Sequence, residues 1–328
     1  MINNIYNKVL KFIKENIKYI VTLIIIILMF FIELPYSVNA PGGLIDLSDR
    51  VKTDSKGTFN MTYVTFMKGK IPAILLSFIM PDWDLIPNNQ AFLEGEDINI
   101  SNIRGKIQYK SAVSNAILNA YKEANIDINI KSTHIYTTYI LDKSKNDLLI
   151  GDEIISIDGM DISNISDIKS YISSLNNNTK VLIKVINNNK YYDRYAYTYD
   201  IDGTNMIGVG FSLINEYDGI DIGSKSNEFG SSGGLMLTLA LYDKITDGDF
   251  TKGLKISGTG TIDEEGNIGE IDGVKYKLIG AVKNKSDIFL VPSANYEEAI
   301  KIKNNKKYNI KIIEAKTFKQ VLEELNNI

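Results

Sequence analysis

The chain has 328 residues, is 44% hydrophobic, carries one histidine and no cysteine, and has a formal net charge of −4. That length accommodates about two domains with apolar cores. The absence of cysteine excludes a thiolate nucleophile and a thiolate zinc site, a single histidine excludes a multi-histidine metal centre, and the acidic balance excludes extensive contact with a nucleic-acid backbone. What remains for hydrolysis is a hydroxyl nucleophile served by a lysine or a carboxylate, and any Ser-His-Asp triad has to use His134.

At the N-terminus Lys8, Lys11, Lys14 and Lys18, offset only by Glu15, precede the uncharged run from Tyr19 to Ile32. That run is short of the roughly 20 residues a spanning helix needs, but continuing through Glu33 to Val38 reaches it. The pattern predicts one transmembrane helix with a cytoplasmic tail over 1–40, its N-terminus inside and the rest of the chain outside the cytoplasm. A cleaved signal peptide is the rival, with Val38 and Ala40 as small residues at the cleavage site.

From Pro41 the polarity is that of a soluble protein. Alternation over Thr58–Phe66 predicts a strand. The apolar stretch Ile71–Met80 is too short to span a bilayer and predicts a buried helix or a contact with a membrane surface. Helical spacing of Ala, Val and Ile places a helix at about 109–124.

The block that follows reads as a strand over Ile135–Ile140, a turn at Gly151-Asp152, a strand ending in Asp158-Gly159, a helix with apolar Ile165, Ile168, Ile172 and Leu175, and a strand over Lys180–Ile186. This order, with the pattern Leu-x-x-Gly-Asp-x-Ile-x-x-Ile-Asp-Gly, resembles a PDZ domain over 131–204. The resemblance implies a peptide-binding groove between the strand holding Ile135 and Tyr136 and the helix holding Ile168 and Ile172, where a ligand adds as an extra strand. Each of these side chains is equally a candidate for the domain core.

After a strand-like run Met206–Leu213 comes Gly230-Ser231-Ser232-Gly233-Gly234, then the apolar helix-forming Leu235–Tyr242. A serine between glycines at a helix start gives a substrate backbone room to approach and offers unpaired amides to an oxyanion. The same Gly-x-Ser-x-Gly pattern occurs in α/β-hydrolases, but there the histidine follows the serine, whereas His134 precedes it. Ser166-x-x-Lys169 matches a penicillin-binding motif without its companion motifs and reads as a solvated helix face. Further on, Val274, Leu278 and Ala281 recur at helical spacing from Gly273, placing Lys275 and Lys277 in the first turns of a helix, where burial and the helix dipole favour the neutral amine. Helical geometry alone leaves both lysines open.

The stretch from Glu228 to Pro292 resembles the proteolytic domain of Lon proteases. The order of apolar segment, Leu34-Pro-Tyr-Ser-Val-Asn-Ala-Pro-Gly42, PDZ-like block and this stretch resembles PDZ-containing, membrane-anchored Lon-like serine proteases of Gram-positive bacteria. The resemblance implies an α+β fold in which 41–130 and 205–328 form one Lon-type protease domain with the PDZ domain inserted, tethered by the N-terminal helix. It implies a Ser232–Lys277 dyad supported by Thr259, Gly230 and Gly233. Ser231 stands where the family has proline and Gly233 where it has alanine, which keeps Ser231 open as an alternative nucleophile. No cofactor or metal is implied; the acidic runs Asp243–Asp249 and Asp263–Asp272 miss the spacing of an EF-hand loop. No phosphate-loop motif is present, so no ATP is expected, and the expected partners are a peptide or unfolded protein substrate and, through the helix, the membrane. The expected function is an endopeptidase cleaving secreted peptides or small membrane proteins. An inactive adaptor holding partner proteins through the PDZ-like block is the alternative.

Overall fold

The computed structural model describes residues 2–53, 55–220, 222 and 228–328. The chain divides into two compact units, residues 1–41 with 64–91, and residues 42–63 with 92–328.

In the smaller unit the first helix runs over Ile2–Met29. It corrects the membrane expectation: among the described residues no helix is long and apolar enough to cross a membrane. The four lysines and Glu15 lie over its first 17 residues, up to Lys18, and the apolar run does not continue as helix. Phe30 and Phe31 fold back onto the carbonyls of Ile27 and Leu28, and the backbone extends into a strand from Glu33. The uncharged helical stretch Tyr19–Met29 therefore rises only about 16 Å, roughly half the thickness of a bilayer core. The single-pass topology, and the localisation expected from it, are therefore not supported. The strand Glu33–Asp46 pairs antiparallel with Asp84–Pro87, from Tyr36 opposite Pro87 to Asn39 opposite Asp84. The segment Ile71–Met80 is helical only over Ile71–Ser77, with no buried residue, and exposes Phe78 and Ile79. It is thus not the buried helix that its composition allowed.

The larger unit contains two sheets. In the first, Lys311–Ala315, Ile288–Pro292, Lys255–Gly258 and Thr58–Met61, the start of the strand Thr58–Lys70, lie side by side with parallel pairing throughout. Every residue of Ile288–Pro292 is buried, as a strand covered on both faces requires. Phe59, Leu235, Leu237, Leu239, Ile256, Leu290 and Leu325 share one core, which joins this sheet to the helices Gly234–Ile245 and Phe318–Asn326. The long helix Ile98–Glu123 also packs here. It starts well before the expected residue 109 because Asp97 caps it, accepting from the amides of Asn99 and Ile100. Its first turns set Ile98, Ile100, Ile103 and Ile107 among Asn99, Ser101, Asn102 and Gly105, residues of low helix propensity that obscure the helical pattern in the sequence.

The second sheet is antiparallel, in the order Val209–Tyr217, Ile130–Ile140, Glu153–Ile157, Lys180–Asn187, Lys190–Tyr197. The helix Ile165–Ser174, capped by the Asn164 side chain, closes its core through Ile168 and Ile172. Two sequence signals have clear physical work here. Asp152 is wholly buried and accepts from the Leu149 amide, Asn187 Nδ2 and Arg194 Nε, which satisfies its charge. Asp158 and Gly159 both take positive φ and reverse the chain so that Ile157 faces Met160. The strand Val209–Tyr217, read from sequence as the start of the last segment, belongs to this sheet. The long helix touches it where Ser111 Oγ donates to the Leu213 carbonyl and Ser114 Oγ accepts from the Asn215 amide.

Candidate active site

The glycine-rich turn sits at the start of the Gly234–Ile245 helix. Gly230 has a φ of 81°, which a side chain would strain, and its amide donates to the Gly105 carbonyl at 2.8 Å. The Ser231 carbonyl accepts from the Gly234 amide at 3.1 Å. The Ser232 carbonyl is held by two donors, the Gly260 amide at 2.8 Å and Thr259 Oγ1 at 3.1 Å. Pinning this carbonyl fixes the peptide planes of the turn. Among the described residues the amides of Ser232 and Gly233 donate to no backbone carbonyl, as expected at a helix start. Gly233 precedes the helix, with Met61 Sδ packed so closely against it that an alanine there would displace the methionine.

Thr259 follows the strand Lys255–Gly258 and is wholly buried. Its hydroxyl donates to Ser232 and accepts from Lys277 Nζ at 3.2 Å. Lys277 lies in the helix Val274–Lys283, is 5% exposed, and is flanked in sequence by buried Tyr276 and Leu278. Burial lowers its pKa from 10.5 to about 8, against an opposing pull from the Asp272 carboxylate. The two lysines left open by helical spacing are thereby distinguished: Lys275 is half-buried, its ammonium lying 5.3 Å from the centre of the Tyr276 ring, whereas Lys277 turns into the core toward the serine turn. Ser232 is half-buried, between the buried helix and solvent. Among the described residues, Ser232 Oγ and Lys277 Nζ share no hydrogen bond, and the link between the two residues runs through Thr259.

The four residues assigned to a peptide groove separate into two groups. Ile135, Ile168 and Ile172 are 1%, 2% and 3% exposed and form part of the second sheet's core. Tyr136 is half-buried and donates to Glu153 Oε2, and its pKa is pushed up to about 12 by burial and by that carboxylate. His134 makes a hydrogen-bonded series the sequence did not reveal. Its Nδ1 faces Glu153 Oε1 at 2.6 Å and its Nε2 faces Ser132 Oγ at 3.0 Å. The order is that of a triad. The group nevertheless lies along strands rather than at a helix start, and Ser132 Oγ is shared with Glu216 Oε2 at 3.2 Å. No group of three His, Asp or Glu side chains among the described residues could hold a metal ion. Asp243 instead binds Ser55 and the Phe250 amide, and Asp263 the amides of Glu265 and Asn267.

Residues 223–327 match the Lon protease (S16) C-terminal proteolytic domain. Lon protease of Campylobacter jejuni subsp. jejuni is 33% identical over 118 residues, a match covering 34% of this chain and 14% of that protein. The chain thus matches only about a seventh of the length of that relative. Among solved structures, the PDZ domain of an SdrC-like protein from Listeria monocytogenes is 22% identical, with 26% of this chain and 93% of that chain covered and a TM-score of 0.23. The second domain of a Listeria protein is 25% identical, with 25% and 85% covered and a TM-score of 0.21.

Proposed function

We propose that the chain is a serine endopeptidase in which Ser232 is the nucleophile and Lys277 the general base, acting on flexible peptides or unfolded segments without ATP. The observation that carries the reading is the buried, pKa-lowered Lys277 hydrogen-bonded to Thr259, whose hydroxyl in turn holds the Ser232 carbonyl. The likeness of residues 223–327 to a Lon proteolytic domain supports it, and the sequence carries no phosphate-loop motif.

In this mechanism the neutral amine of Lys277 donates one hydrogen to Thr259 and keeps its lone pair for the Ser232 hydroxyl proton. A rotation of the serine side chain on substrate binding brings the two together, since such contacts tighten in the reacting complex. As Ser232 Oγ attacks the scissile carbonyl, the amides of Ser232 and Gly233 receive the developing oxyanion. The ammonium then protonates the leaving amine, and water, deprotonated by the same lysine, resolves the acyl-enzyme. Thr259 keeps the amine pointed at the turn, Gly230 gives the turn its left-handed corner, and Gly233 leaves the amide face open.

The test is covalent labelling by a fluorophosphonate together with cleavage of an unstructured peptide library by the full chain, with and without ATP. Labelling at Ser232 with turnover lost in Ser232→Ala, and no response to ATP, is the expected result. Reaction at Ser231, or turnover surviving in Ser232→Ala, reassigns the nucleophile; an unreactive chain favours the adaptor alternative. Ser132→Ala and His134→Ala serve as controls and are expected to leave turnover within about twofold, because their hydrogen-bonded series has no oxyanion donors at a helix start. A loss above tenfold in either variant moves the chemistry to the second sheet.

A further inference from the structure

The short segment leading into the turn is held at three consecutive residues. Glu228, 7% exposed, is paired with Arg50 Nη2 from the short helix Ser48–Val51. The same guanidinium donates through Nη1 to the hydroxyl of Tyr109, at 2.5 Å, on the long helix Ile98–Glu123. Next, Phe229 has the Lys106 ammonium 6.0 Å from its ring centre, and its Cβ lies so near Gly105 that a side chain there would meet it at 3.1 Å. Then the Gly230 amide donates to the Gly105 carbonyl. Only the pair at Glu228 is ionic and withdrawn from water, with side chains 7% and 5% exposed.

We propose that Arg50 is a positioning residue for the Ser232 turn, acting through Glu228; as a statement about catalysis this rests on the protease reading above. A buried ion pair is a poor way to gain stability, because desolvating both charges offsets most of their attraction. It is a good way to fix direction: a guanidinium has a planar fork, and here one arm is anchored on Tyr109 and the other carries the carboxylate. Three residues lie between Glu228 and Ser232, and among them Gly230 supplies a corner without side-chain restraint. Holding Glu228 from one side and the Ser232 carbonyl from the other, through Thr259 and Gly260, defines both ends of the turn. Without the Arg50 end, the Ser232 hydroxyl and the two amides lose their common orientation while the Lys277 end stays intact. An error of about 1 Å in such a placement is enough to cost roughly 100-fold in rate.

The test uses the full chain in three variants: Arg50→Met, Arg50→Lys, and Arg50→Met combined with Glu228→Gln. The double variant also removes the Glu228 charge that Arg50 compensates, whose loss of that partner threatens folding of the first, and the lysine keeps the charge without the fork. Two readouts are taken on each, backbone hydrogen exchange over residues 228–234 and the steady-state constants. The expected result is exchange at least about tenfold faster in that segment, with the Gly234–Ile245 helix still protected. In the same variants kcat is expected to fall about 10–100-fold, KM to stay within about threefold, and Arg50→Lys to lie in between. Unchanged exchange overturns the inference whatever turnover does, and so does loosened exchange with wild-type kcat. If the wild type shows no Ser232-dependent turnover, the protease reading has failed, and exchange alone still decides whether Arg50 holds the turn.

Discussion

Lys277→Met is expected to abolish peptide cleavage and, at neutral pH, to make the protein more stable. Removing the base from a Ser-Lys mechanism leaves a hydroxyl with no proton acceptor in the buried wall, a loss on the order of 10³-fold or more. The stability effect follows from the same burial. With its pKa lowered to about 8, the wild-type lysine must be desolvated as an ammonium at pH 7, a cost on the order of 3 kcal/mol at about 1.4 kcal/mol per pKa unit. Methionine fills similar volume, carries no charge, and forfeits only the hydrogen bond to Thr259, about 1 kcal/mol. The net gain is about 1–2 kcal/mol, read by urea denaturation. Because the folded pKa lies below the unfolded one, the folded chain binds fewer protons between about 8 and 10.5, and wild-type stability rises with pH across that window. The advantage of the methionine variant is therefore full below about pH 8 and gone by pH 10.5. A variant that retains turnover, or is destabilised at pH 7, sinks the assignment of Lys277 as a buried base.

The second large effect is on rate against pH. A base whose pKa is about 8 is neutral in only about a tenth of molecules at pH 7 and a hundredth at pH 6. The profile of kcat/KM is expected to climb tenfold per pH unit from 6 and to level off just above 8. Thr259→Val, which removes the acceptor that orients the amine, is expected to lower the plateau with the ascending limb still present. A flat profile from pH 6 to 9 excludes a titrating lysine.

The turn and the lysine helix are legible in the sequence because local rules govern them: serine between glycines before an apolar run, and apolar spacing after Gly273. The Asp158-Gly159 reversal and the Asp152 anchor are legible for the same reason. What the sequence hides is set by distance along the chain. Arg50 and Glu228 meet across most of the molecule, and nothing local to either residue marks the other. The choice of Lys277 over Lys275 depends on which side of a helix meets Thr259, a tertiary fact. At the N-terminus the apolar composition suggests a span, but backbone pairing of Tyr36–Asn39 with Asp84–Pro87 claims the residues needed to complete it. Ile135, Ile168 and Ile172 carry the right pattern for a groove and the right hydrophobicity for a core. The core is where burial places them.

The parallel pairing of Thr58–Met61 with Lys255–Gly258 also sets a schedule for synthesis. Ribosomes add about 5–20 residues per second, so that edge of the early strand waits roughly 10–40 s for its partner, while the antiparallel sheet between them is already complete. Throughout that interval the nascent chain has neither the strand end that presents Thr259 nor Lys277. On the protease reading proposed above, competence to cut peptide bonds therefore waits until Thr259 and Lys277 have been made, after the residues of the antiparallel sheet.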